Sequence, residues 1–296
     1  MNNVGIYYAF WEREWNADYI NYISKVKSLG FDTLEIAAGA LTDMTSAERI
    51  KIADAAKQAD VKLTYCIGLP ACYDVSSPDE SIRKDGVKYV SKILDCMHEM
   101  GGDTLGGIIY SCWPMQVRPD YDYKCKLRSQ AITSLRELLK KAEEYDINYC
   151  LEIVNRFEQC VLNTAEEGVN FAKELESPKV KLLLDTFHMN IEEDSFTEAI
   201  HTAGDLLGHF HIGEANRKTP GVGRLPWNEI FTALRDINYK GDIVMEPFIK
   251  MGGQVGKDIL VLRDLSNNAD ESRMDSLAAD AAAFVKKGLK SVYEKD

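Results

Sequence analysis

The segment Val180–Asn190, VKLLLDTFHMN, decides how the rest of the chain is read. Its apolar run does not alternate with polar residues. That pattern fits a β-strand covered on both faces, as in a parallel sheet wrapped by helices. The run ends in Asp185, and His188 follows three residues later. A carboxylate at the end of a buried strand is costly unless something compensates its charge. The segment therefore predicts a strand that delivers an acid to a place where a partner waits.

Working outward, seven further runs have the same character: Val4–Tyr8, Thr33–Ala37, Leu63–Ile67, Leu105–Tyr110, Asn148–Val154, His209–Gly213 and Ile243–Glu246. Between them lie amphipathic stretches of helical period, such as Tyr19, Ile23 and Val26, or Ala131, Leu135, Leu138 and Ala142. Capping-box spacing recurs after the runs, at Thr45 and Glu48, Ser77 and Glu80, Thr164 and Glu167, and Ser195 and Glu198. Eight strand–helix units predict a (β/α)8 barrel occupying residues 1–296 as one domain. An open doubly wound sheet would carry a glycine-rich first turn, and the loop after the first strand, AFWEREW, has no glycine. The polar stretch SNNADESRMD (266–275) reads as a loop before a last helix.

Composition narrows the function classes. Among 296 residues, 45% are hydrophobic and 28% charged, with a formal net charge of −12. That balance opposes nucleic acid and anionic membrane surfaces and suits a neutral small molecule or a divalent cation. Seven cysteines without paired spacing point to a reducing compartment. No secretion signal or membrane span is visible, so a cytoplasmic location is expected.

In a barrel the active site lies at the C-terminal ends of the strands. Four consecutive strands there carry Glu152, Asp185, His211 and Glu246. Three carboxylates crowded together oppose one another's ionisation. A divalent ion resolves that conflict, and three oxygen donors with one imidazole suit Mn²⁺, Co²⁺ or Mg²⁺. His209 faces the same side as His211 but lies deeper. Glu35 also ends a strand, alone on its side of the barrel, and is expected behind the ligands. Glu158, His188 and Arg217 each follow a proposed ligand by a few residues and form a donor–acceptor set for hydroxyls. Tyr7, Trp15, Trp113 and Phe248 are placed to stack on a sugar. GGQVGKD (252–258) lacks the Gly and Ser/Thr of a phosphate loop and reads as a loop over the mouth.

The motifs CLEIVNRFE, LLLDTFHMNIEE, HFHIGEANR and VMEPF closely resemble the ketose 3-epimerase family, the D-tagatose and D-psicose (D-allulose) 3-epimerases. The resemblance runs through nearly the whole chain. It implies a (β/α)8 barrel, one Mn²⁺ or Co²⁺ per subunit, a homodimer or homotetramer, and a small ketose as substrate. Position by position it implies Glu152, Asp185, His211 and Glu246 as metal ligands. It makes Glu152 and Glu246 the acid/base pair as well. Glu158, His188 and Arg217 would hold the O1 and O2 end, and Tyr7, Cys66, Ile108 and Trp113 would wall the far end. The expected reaction is C3 epimerisation of free ketohexoses, D-psicose to D-fructose first, with D-tagatose and D-sorbose. The competing readings are an aldose–ketose isomerase of the xylose isomerase type and a sugar-binding barrel without catalysis.

Overall fold

A computed structural model describes residues 2–294. Eight parallel strands close into a barrel in chain order: β1 (Val4–Tyr7), β2 (Thr33–Ala37), β3 (Lys62–Cys66), β4 (Thr104–Gly107), β5 (Asn148–Ile153), β6 (Val180–Asp185), β7 (Leu207–Ile212) and β8 (Ile243–Met245). The strands are almost wholly buried because helices cover their outer face and packed side chains fill the interior. Among the described residues, no helix is long and apolar enough to cross a membrane.

Six strands differ from their expected limits, β3, β5 and β7 by one or two residues at an end, and β1, β4 and β8 for local reasons. β4 stops at Gly107, whose φ of +113° turns the chain out of the sheet. Ile108, Ile109 and Tyr110 stay buried but pack as a loop, and the Tyr110 hydroxyl donates to the Glu152 carbonyl at 2.8 Å. A Cβ at Gly107 would meet the Ile67 carbonyl oxygen at a distance no side chain tolerates. Gly107→Ala should therefore cost more than about 1 kcal/mol, read as a lowered urea midpoint. β1 ends at Tyr7 because Tyr8–Phe10 winds into a 3-10 turn. β8 ends at Met245, with Glu246 just beyond it; the Glu246 N–H still donates to the Ile212 carbonyl at 3.0 Å.

The helix starts divide according to which cap reaches the first turn. Thr45 and Glu48 form the full reciprocal box on helix Ser46–Ala59. Thr164 and Ser195 each accept the expected N–H, at 3.2 Å from Glu167 and Glu198. The Glu167 carboxylate turns instead to the Asn163 N–H. Ser77 caps no helix. Asp79 stands immediately before helix Glu80–Glu99 and takes that role, accepting the Ser81 N–H at 2.8 Å. The 252–258 loop contains a short helix, Gly253–Asp258, and the last helix opens at Glu271, inside the stretch expected to be loop.

One irregularity places the functional residues. β6 and β7 pair in two registers, Leu182 with Leu207 and then Leu183 with His209, so Gly208 is an extra residue in β7. A Cβ at Gly208 would lie 2.5 Å from the Lys181 Cβ, so the bulge needs a glycine. In the first register Asp185 would pair with Phe210. After the bulge it pairs with His211.

Candidate active site

Glu152 projects from β5, Asp185 from the end of β6, His211 from β7 and Glu246 from the residue after β8. All four are buried, and each offers a donor atom within 4.8 Å of the others. Asp185 Oδ1 accepts the Phe187 N–H at 2.9 Å and so caps helix Thr186–Glu192. The two residues of the opening segment divide here. Asp185 stays at the strand end, and the helical turn lifts His188 above it.

His188 is fixed by a residue the sequence did not single out. Its Nδ1 accepts the Asn155 backbone N–H at 3.2 Å, which leaves the proton on Nε2. That nitrogen lies 3.5 Å from Glu152 Oε1 and 3.8 Å from Asp185 Oδ2. The Asn155 amide also donates to Glu158 Oε1 at 2.9 Å, and the Trp113 indole donates to Glu158 Oε2 at 2.9 Å. Asn155 sits in the middle of CLEIVNRFE, between two glutamates that drew attention away from it.

Arg217 stands at φ +63° in a loop held by Glu214. The buried Glu214 carboxylate accepts the Gly221 N–H and the Trp227 indole N–H, at 2.9 and 2.8 Å. This turn aims the Arg217 guanidinium inward. Its Nη1 lies 3.0 Å from Asp185 Oδ2 and 3.1 Å from Glu246 Oε2, and the group stacks 3.8 Å over the Phe187 ring. Glu35, expected only behind the ligands, reaches across the barrel interior to both histidines of β7.

Burial pushes the Glu246 carboxyl up to about 8, and Glu152 and Asp185 add to the rise against the pull of His211 and Arg217. Burial opposes charge on His211, but Glu35 and then Glu246 outweigh it and lift the ring to about 10. Burial would also raise Glu158, yet His188 and Arg217 hold it below its ordinary value. The acids therefore coexist poorly with the protein's own charges alone. A divalent cation would relieve them. Three carboxylates and one imidazole form a donor set that fits a fairly hard ion, so these four residues could hold a metal.

Above them opens a cavity of about 550 Å³. Glu152, Glu246, Glu158, His188 and Arg217 line it. Tyr7, Cys66, Ile108, Trp113 and Phe248 line it as well, so every proposed sugar contact reaches this space. Asp185 and His211 lie beneath its floor. Trp15 also reaches the wall, with its indole donating to Asp258 at 2.8 Å. Ala37, Gly39, Ile67, Tyr89 and Ile259 are further wall residues that were not foreseen. Ala37 ends β2 and Tyr89 lies in helix Glu80–Glu99, while the others sit on connecting segments, and their approach to the mouth depends on tertiary packing. β5 to β8 thus supply the acids and the imidazole, while β1 to β4 and their loops supply most of the apolar surface.

Residues 23–265 match the model of the xylose isomerase-like TIM barrel family. A D-psicose 3-epimerase of Ruminiclostridium cellulolyticum is 48% identical over 280 residues, 95% of each chain. One of Agrobacterium fabrum is 47% identical over 280 residues, 95% of this chain and 96% of the other. Among solved structures, a D-psicose 3-epimerase crystallised in the presence of D-fructose superimposes with a TM-score of 0.94 at 46% identity, over 97% of this chain and 99% of that one. The chain belongs to the xylose isomerase-like TIM barrels. Within them it falls in the ketose 3-epimerase family, isomerases acting on carbohydrates.

Proposed function

We propose that the chain inverts C3 of free ketohexoses, interconverting D-psicose and D-fructose, and D-tagatose and D-sorbose. The observation that carries this reading is the placement of Glu152 and Glu246. Both line the cavity, from β5 and from the end of β8, with β6 and β7 between them. Inversion needs a base on one face of C3 and an acid on the other. One carboxylate takes the C3 proton, and the C–H electron pair moves into an enediolate spanning C2 and C3. The other carboxylic acid then delivers a proton to the opposite face. The two exchange roles with the substrate epimer.

Glu152, Asp185, His211 and Glu246 would hold a divalent ion, Mn²⁺ or Co²⁺ before Mg²⁺, which supplies Lewis-acid stabilisation of negative charge on substrate oxygen. His188 offers an Nε2–H donor, Glu158 an acceptor and Arg217 a planar fork of donors for the O1 and O2 end. Tyr7, Cys66, Ile108, Trp113 and Phe248 bound the far end. A homodimer or homotetramer belongs to the same reading, supported by the exposed Leu260 and Leu262, and light scattering tests it. Incubation with D-fructose and Mn²⁺ should give D-psicose, with deuterium entering at C3 in heavy water. Glucose or mannose as the product would make the protein an aldose–ketose isomerase instead. Absence of any exchange would leave a sugar-binding barrel.

A further inference from the structure

Two buried polar side chains take no part in the chemistry above: Glu35 on β2 and His209 on β7, both fully buried. Glu35 Oε2 shares a hydrogen bond with His209 Nε2 at 2.8 Å. Glu35 Oε1 lies 2.7 Å from His211 Nε2, an oblique ion-pair contact. Two lone pairs cannot face each other at such separations, so each Nε2 carries a proton. The carboxylate keeps those protons in place.

With Nε2 protonated, the one nitrogen of His211 that can be bared for a cation is Nδ1. That is the nitrogen turned toward the acids, 3.8 Å from Glu246 Oε2. We infer that Glu35 is a positioning residue that holds the Nε2 proton of His211 and aims its Nδ1 at the carboxylate cluster, with His209 tethering the other oxygen of Glu35. The inference rests on the metal reading above. It assigns a task to a strand on the far side of the barrel from the four donors, and it explains why a second histidine stands two residues before the first.

The test is Mn²⁺ binding by the stripped, full-length protein, followed calorimetrically, together with ¹⁵N-histidine NMR of the Mg²⁺-loaded form. Glu35→Gln offers one carbonyl oxygen and one NH2 in place of two acceptors, so both rings cannot keep an Nε2 proton against it. It should weaken Mn²⁺ binding by about 10- to 100-fold. In wild-type protein the NMR spectra should place the His211 proton on Nε2 and leave Nδ1 bare. Unchanged Mn²⁺ affinity in Glu35→Gln, or a His211 proton on Nδ1 in the loaded wild type, would overturn the inference. The NMR arm needs no variant, so a misfolded Glu35→Gln would not shelter the idea. A wild-type chain that binds Mn²⁺ with Glu35-dependent affinity but epimerises no ketose would support this inference while sinking the substrate reading.

Discussion

Glu152→Gln and Glu246→Gln should each lower kcat for C3 epimerisation by about 10²- to 10⁴-fold, the range removed with a general acid or base. The carboxamide keeps the volume and one oxygen of the acid, so the fold should survive; each change also removes a charge from the ligand cluster, so kcat is read at saturating Mn²⁺. What it cannot do is accept the C3 proton. The two variants should also differ from each other. With one base gone, the other still faces C3 of one epimer. That epimer should exchange its C3 hydrogen with heavy water while failing to invert. Each variant should therefore wash deuterium into a different member of the D-psicose and D-fructose pair, read by NMR of the recovered sugar. Near-wild-type turnover in either variant would end the two-base scheme.

The second large effect separates Asp185 from His188. Asp185→Asn removes a charge from the buried cluster and should weaken Mn²⁺ binding by at least the about 10- to 100-fold seen when an outer partner of a ligand is lost. Turnover should fall with it and return only in part at high Mn²⁺. His188 has its Nδ1 occupied by the Asn155 N–H and presents Nε2 to the cavity. His188→Ala should leave Mn²⁺ affinity near wild type and raise KM for the sugar by about 10-fold or more, the cost of one hydrogen bond involving a charged or strongly polar group. Calorimetry with Mn²⁺ and steady-state kinetics with D-fructose read the two effects separately. The reverse pattern, with metal lost in His188→Ala and kept in Asp185→Asn, would invert the assignment.

The sequence made the barrel legible because parallel strands buried on both faces leave an unmistakable rhythm of apolar runs. It made the cluster of Glu152, Asp185, His211 and Glu246 legible because charge at the end of such a run is anomalous. What it hid depended on geometry that no local pattern carries. Gly208 gave no sign of being a bulge, yet it sets His211 rather than Phe210 beside Asp185. The apolar run after Gly107 looked like strand because burial and strand were indistinguishable there; a positive φ separated them. Asn155 was invisible because its partner, His188, is far along the chain. Ser77 met the spacing of a capping box, but Asp79 stood closer to the first turn. The wall residues Gly39, Tyr89 and Ile259 come from a 3-10 turn, a helix and the end of another helix, whose meeting is purely tertiary.

The segregation of acids on β5–β8 from apolar wall on β1–β4 bears on how such an enzyme can diverge. On the two-base reading proposed above, substitutions in the first half would alter which sugars fit without touching Glu152 or Glu246. Hybrids joined between Trp113 and Asn148 would carry one parent's Tyr7, Cys66, Ile108 and Trp113 on another parent's Glu152 and Glu246, with Phe248 staying in the second half. Two contacts cross any such join, the Trp113 indole on Glu158 and, deeper in the barrel, Glu35. It travels with the first half but answers to His211 in the second, so compatible parents must agree on that pair.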